Sequence, residues 1–357
     1  MPQEITTIGL EALAQRFERF ARRECQVSPL YERLSFGIAQ DPELLALAAY
    51  TQPGQPVPNL FLAAVHFLLL QGSQHPLAAY YPSLCPATSL AADAYPSFRS
   101  FCLKHREKIL ELISTRLVQT NEVRRCACLL PAFALVSALG HGRPLALVEV
   151  GASAGLNLLW DHFGYEYGTG RQYGDPRSPV QIGCTLRGHR RPPLPGALPP
   201  VATRLGIDLR PIDVCDPDAA LWLRALVWPD EGGRAALLQQ ALRVAQQHPP
   251  RLLAGNVLEQ LPAALATVPA DETLCVFHTH TMNQLSAEAR ASLAALLKEG
   301  AVARDLYRIS IEWLGQEHPQ LECVAFESGV QTESLLAHCG SHGEWLEWLG
   351  ADGWGMA

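Results

Sequence analysis

Residues 145–159, LALVEVGASAGLNLL, set a carboxylate, two glycines, a serine and an asparagine at the end of an apolar run. Glu149, Gly151, Ser153, Gly155 and Asn157 fall at alternate positions. Glycines at this spacing let backbone amides approach a ligand where a strand turns into a helix. The carboxylate narrows the choice of ligand. A pyrophosphate needs a neutral or positive cradle, whereas Glu149 suits a group that presents an ammonium or hydroxyls. A tight turn without a ligand also favours glycine, but it leaves a carboxylate at the end of a buried strand unexplained.

A second group of residues lies in FHTHTMN, 277–283. His278 and His280, two apart, are expected on one strand face, where one could take a proton at neutral pH or both could ligate a metal. No third ligand stands out and no metal is expected. Asn283 completes the group, and a core histidine satisfied by hydrogen bonds is the alternative for at least one of the pair. Upstream, Arg116, Gln119, Thr120, Asn121, Glu122 and Arg125 interrupt two apolar segments. Asn121 and Glu122 could engage an ammonium while an arginine meets a carboxylate, or the run is a solvated helix junction. Tyr80, Tyr81, Tyr165, Tyr167 and Tyr173 could offer faces to a cation or could pack. HCGSH, 338–342, reads as surface structure.

These residues need elements to hold them. Helical spacing is clear in 8–23, in the segment after Asp41-Pro42, in LFLAAVHFLLLQG opened by Asn59, in 98–118, and in 123–139 with Pro131 inside. Gly140 and Gly142 then punctuate the chain and mark a domain boundary. Beyond them, strands at 145–150, 180–186, 251–256, 273–280 and 306–314 alternate with helices at 219–226, 233–247 and 286–299, which predicts a doubly wound sheet. The stretch after Gly155 is expected to be a short helix. The proline-rich segment 190–200 is expected to be an extended connection.

The chain has 357 residues, 48% of them hydrophobic, enough to bury the cores of two domains. A formal charge of -7 argues against broad electrostatic attraction to nucleic acid and favours a small-molecule substrate. Ten cysteines without a CxxC pair suit reduced thiols in a cytoplasm. No apolar run approaches the length of a membrane span, so no membrane partner is expected.

The spacing Glu149-x-Gly151-x-Ser153-x-Gly155 resembles the first motif of class I S-adenosylmethionine-dependent methyltransferases, with serine where many members carry the middle glycine. PGQPVPNLFLAAVHFLL (53–69), HPLAAYYPS (75–83), QTNEVRRC (119–126), LWLRALVWP (221–229) and CVFHTHTMN (275–283) extend the resemblance to a bacterial methyltransferase-like family with a helical N-terminal region. The resemblance implies an α/β fold: a Rossmann-like methyltransferase sheet over residues 143–357 with an all-helical N-terminal cap domain over residues 1–142. It implies S-adenosylmethionine as cofactor, contacted by the Glu149–Asn157 loop, by Asn121 and Glu122, and near the adenine by Asn256 and Val257; Asn256 is equally well an ordinary turn residue. The implied chemistry is alkyl transfer from the sulfonium, foremost methyl transfer to a small molecule with His278 or His280 as base. Some similar proteins use the cofactor as their own substrate, closing it to azetidine-2-carboxylate with release of methylthioadenosine. A binder that kept the loop without turnover is the third expectation.

Overall fold

The computed structural model describes residues 7–85 and 93–350. The chain divides into two compact units, one of residues 1–120 with 216–236, the other of residues 121–215 with 237–357. The glycines at 140 and 142 had suggested a boundary after the helix Cys126–Leu139; this helix groups with the sheet instead. Among the described residues no helix is long and apolar enough to cross a membrane.

The first unit is helical. Asp41 caps Pro42–Ala48 by accepting from the N–H groups of Glu43 and Leu44, as the Asp-Pro pair predicts. The apolar helix Val57–Leu70 starts two residues before Asn59, because Pro56 and Pro58 both suit the first turn. His66 lies buried within it, with Nδ1 3.0 Å from the Ala225 carbonyl and Nε2 2.8 Å from Ser83 Oγ. The segment 98–118 is broken at His105 into Tyr95–Lys104 and Arg106–Thr115. A helix at Pro29–Ala39, capped by Ser28, has no counterpart in the sequence reading.

The second unit is an α/β layer structure. Its strands are β1 (Leu145–Val150), β2 (Gly164–Glu166), β3 (Gln172–Gly174), β4 (Gln181–Gly183), β5 (Thr185–Arg187), β6 (Val201–Asp208), β7 (Arg251–Ala254), β8 (Thr273–Thr279), β9 (Leu306–Glu312), β10 (Gln320–Glu327), β11 (Val330–Cys339) and β12 (Trp345–Trp348). Nine of them form one sheet in the order β5-β12-β11-β10-β9-β8-β1-β6-β7, and β3-β2-β4 form a small second sheet. The run β7-β6-β1-β8-β9 is parallel throughout. From β9 to β12 the neighbours are antiparallel, and β5 closes the far edge parallel to β12.

β1 is buried along its whole length because both faces are covered. On one face Ala146, Val148 and Val150 pack with Val257, Leu261, Leu293 and Leu297 of two crossover helices. On the other, Glu149 stands in register beside Phe277, whose ring lies 5.2 Å from that of Phe133 in the helix Cys126–Leu139. The chain builds β6 and β7 on one side of β1, then returns to build β8 and β9 on the other. Strand order therefore reverses between β1 and β8, and their carboxyl ends frame the crevice where open α/β sheets take ligands.

Three expectations are corrected. The second parallel strand is β6, not 180–186, which splits into β4 and β5 in different sheets. The segment after Gly155 is a 3-10 run, Leu156–His162, kinked at Leu159, because the Leu156 N–H goes to the side chain of Asn121. Residues 338–342 are not surface structure. His338 and Cys339 end β11, and the turn that follows is so close to the chain at 124–125 that a Cβ on Gly343 would lie 2.6 Å from the Arg124 carbonyl oxygen.

Central and edge strands differ in how often their amides open. Amide exchange read by mass spectrometry is expected to protect Val201–Asp208 as strongly as Leu145–Val150, while Thr185–Arg187 exchanges faster. Rapid exchange of Val201–Asp208 would contradict the strand order.

Candidate functional site

The turn after β1 runs through Gly151, Ser153 and Gly155 with φ of 72°, 53° and 70°. These are left-handed values, free for glycine and strained for serine. A Cβ on Gly151 would lie 2.5 Å from Thr281 Oγ1 and one on Gly155 2.7 Å from the Pro250 ring, so neither position accepts a side chain without displacement. Ser153 is held from the neighbouring strand end: its N–H donates to Asp208 Oδ2 at 2.8 Å, and its carbonyl accepts from Ile212 at 3.0 Å. Asp208 also accepts from the Arg210 N–H at 2.9 Å.

Glu149 is 1% exposed. Its Oε1 accepts from Asn157 Nδ2 at 3.1 Å, and Asn157 Oδ1 faces the Cys126 thiol at 3.4 Å. Oε2 is buried with no hydrogen-bond partner. Burial, reinforced by the charge of Asp208 and only partly opposed by Asn157 and Arg125, pushes this carboxyl up to about 8. A buried acceptor left unmet costs about 1–3 kcal/mol, so its retention calls for an explanation.

The exit of β8 is built differently from the expected pair of histidines on one face. β8 ends at Thr279, and His280 turns into the left-handed region with φ 52°, which breaks the alternation. His278, 2% exposed, places Nδ1 2.7 Å from Glu312 Oε1 at the end of β9. The same carboxylate accepts from the N–H of Thr281 at 3.0 Å and of Met282 at 3.2 Å. Burial alone would raise Glu312, but His278 and the Thr281 N–H outweigh it and hold the carboxyl below its ordinary value. His280 is pressed the other way: burial and the Arg125 charge bring it down to about 3, against a smaller pull from Glu312. The Nε2 atoms of both histidines are buried without a partner.

Arg125, 8% exposed, reaches across this end of the sheet. Its Nε donates to the Ser341 carbonyl at 3.1 Å, and a second guanidinium nitrogen lies 3.5 Å from Thr279 Oγ1. Asn121 belongs here too, since its Oδ1 accepts from Leu156 in the turn after β1 at 3.0 Å. Glu122 is buried and accepts from the Arg124 N–H at 3.3 Å.

Other candidates lie elsewhere or are otherwise engaged. Asn256, at the exit of β7, spends its side-chain oxygen capping the helix Val257–Ala266. Val257 is part of the apolar core. Asn283 is exposed on the 3-10 turn Met282–Gln284. Arg116 pairs with Asp218 in the helical unit. Tyr165 and Tyr167 are buried with their hydroxyls donated to the carbonyls of Trp160 and Ala127, so they pack. Among the described residues no group of three histidine, cysteine or acidic side chains is arranged to hold a metal ion.

Asp208 and Glu312 were missed by the sequence reading. VATRLGID ends on a carboxylate, but its apolar pattern is interrupted and it follows the proline-rich segment, and LYRISIEWL reads as a strand through Leu314, past Glu312.

Glu149 makes stability depend on pH. Its folded-state value, about 8, lies above the ordinary value of 4.5, so its contribution is complete at low pH and is lost as pH rises between the two. The loss amounts to about 1.4 kcal/mol per pH unit. Glu149→Gln is expected to remove this slope, so that the Tm of the variant relative to the parent climbs from about pH 5 to pH 8. A Tm difference that does not vary with pH would contradict the burial of an ionisable group here.

No curated protein and no solved structure matches the chain. The family model described as "Uncharacterized protein conserved in bacteria (DUF2332)" matches residues 14–348. With nearly its whole length covered, the chain belongs to this bacterial family.

Proposed function

We propose that the sheet unit binds S-adenosylmethionine at the carboxyl ends of β1, β6 and β8 and catalyses alkyl transfer from its sulfonium to a small-molecule acceptor. The observation that carries this reading is the Glu149 carboxyl, buried at the point where strand order reverses, with Oε2 unmet beside a left-handed glycine turn. An ammonium or hydroxyls satisfy that oxygen and favour the ionised carboxylate, which a pyrophosphate would repel. The glycines at 151 and 155 support the reading indirectly: they let the turn pass against Thr281 and Pro250 in the left-handed conformation that sets it at the end of β1.

When bound, S-adenosylmethionine supplies a carbon made electrophilic by its positive sulfur. The residues of the chain do the rest. Glu149 and Asn157 would hold polar groups beside β1, Asp208 fixes the turn through the Ser153 N–H, and the amide nitrogen of Asn256 would face the adenine. Of the two histidines, His280 is too weak a base at neutral pH, being held near 3. His278 is the one suited to take a proton: Glu312 faces its Nδ1, which leaves the lone pair on Nε2.

Calorimetry with S-adenosylmethionine is expected to show saturable binding that Gly151→Val abolishes and Asp208→Ala weakens about tenfold, or 1.4 kcal/mol. No binding by the parent protein would refute the reading. Chromatography after incubation separates the reactions: S-adenosylhomocysteine formed with an acceptor means methyl transfer, methylthioadenosine released without one means cyclisation, and unchanged cofactor across an acceptor screen means a binder.

A further inference from the structure

His280 combines three features that the alkyl-transfer reading leaves unused. It sits in the left-handed region, where a branched or bulky residue costs energy and persists only if its surroundings impose it. It is neutral at physiological pH, and its Nε2 is sealed from solvent without a partner. It lies in the field of Arg125, a buried guanidinium that also reaches Thr279 Oγ1.

The backbone around it is pinned. The N–H of His280 donates to the Ile311 carbonyl at 2.8 Å, and the next two N–H groups go to the Glu312 carboxylate. Gln284 Nε2 donates to the His280 carbonyl at 3.3 Å. Glu312 is itself braced by His278. Charge-assisted hydrogen bonds of this kind are the stronger ones, and here they hold the turn that presents His280.

We infer that Arg125, Thr279 and His280 form a subsite for a carboxylate, the one at the amino-acid end of S-adenosylmethionine, and that Glu312 is the positioning residue that keeps His280 in place. This rests on the cofactor reading above. The chemistry selects an anion: a fixed guanidinium charge, a hydroxyl and a neutral imidazole able to donate from Nε2 all favour a planar acceptor. Glu149 does not oppose it, because burial keeps that carboxyl protonated at neutral pH until a cation arrives. No bond is made or broken in this step.

The test compares two probes by calorimetry on the full chain: S-adenosylmethionine and its decarboxylated analogue, which has the same sulfonium and amine without the carboxylate. The parent protein is expected to bind the carboxylate-bearing ligand at least tenfold more tightly. His280→Gly should erase most of that preference while leaving Tm unchanged or raised, since glycine accepts the left-handed backbone without strain. Glu312→Gln should reduce the preference although His280 is still present, and Glu312→Asp should restore part of it. Equal affinity of the parent for the two ligands overturns the subsite and spares the cofactor reading. A full preference retained in His280→Gly also overturns it, and a full preference retained in Glu312→Gln overturns the positioning role. Binding of neither ligand by the parent brings down the cofactor reading itself.

Discussion

The hydrogen bond between Glu149 and Asn157 is the constraint around which the sheet unit is arranged. A carboxyl at the end of a strand buried on both faces is costly, and Asn157 meets only one of its oxygens. To supply even that partner, the chain after β1 must bring Asn157 back over the strand within eight residues. It does so through left-handed turns and a 3-10 run, and the Leu156 N–H is satisfied by Asn121. The glycines follow from this geometry, since the return path passes against Thr281 on one side and Pro250 on the other.

The two strand exits that flank the crevice share one construction. After β1, the left-handed non-glycine residue is Ser153, and its N–H is taken by Asp208 at the end of the neighbouring β6. After β8, the left-handed residue is His280, and the N–H groups that follow are taken by Glu312 at the end of the neighbouring β9. In each case a carboxylate on the outer strand of a parallel pair holds a strained turn on the inner one. Strain of this kind persists only where surrounding contacts impose it. Both turns lie beside the point where strand order reverses, which ties backbone strain to the position in the sheet where α/β folds take ligands.

Much of this was legible in residue order. β1, β7, β8 and β9, the capped helices after Asp41 and Ser286, and the glycine turn all follow from apolar periodicity and turn chemistry. β6 was not legible, because Thr203, Arg204 and Gly206 interrupt its apolar pattern and a proline-rich segment stands where a strand boundary should be read. The meander β10 to β12 escaped for a related reason: Glu322, Glu327, Glu333 and Glu347 lie in its strands, and cross-strand pairing outweighs their weak intrinsic preference. At the site, Glu149, Asn157 and Asn121 could be picked from type and spacing. The roles of Asp208, Glu312 and Arg125 could not, since each acts on a segment 31 to 216 residues away, through contacts that only the sheet order creates.

Burial has opposite effects on the two ionisable groups that matter most, and the opposition bears on what the crevice holds. Glu149 is raised to about 8 and His280 lowered to about 3, so both are uncharged near neutral pH although one is an acid and the other a base. Each is thereby matched to a partner of opposite character. An ammonium beside Glu149 favours loss of its proton, and a carboxylate beside His280 and Arg125 favours proton binding or donation at the imidazole. A ligand with both groups, such as an α-amino acid end, would recharge the two residues in opposite senses and leave the net charge of the buried space nearly unchanged. A ligand with only one of them would be balanced by the residue beside it and would leave the other buried residue without its partner. On the cofactor reading proposed above, a zwitterionic end is the ligand that engages both residues, and the fixed charge of Arg125 would set its direction by fixing which end meets the positive field.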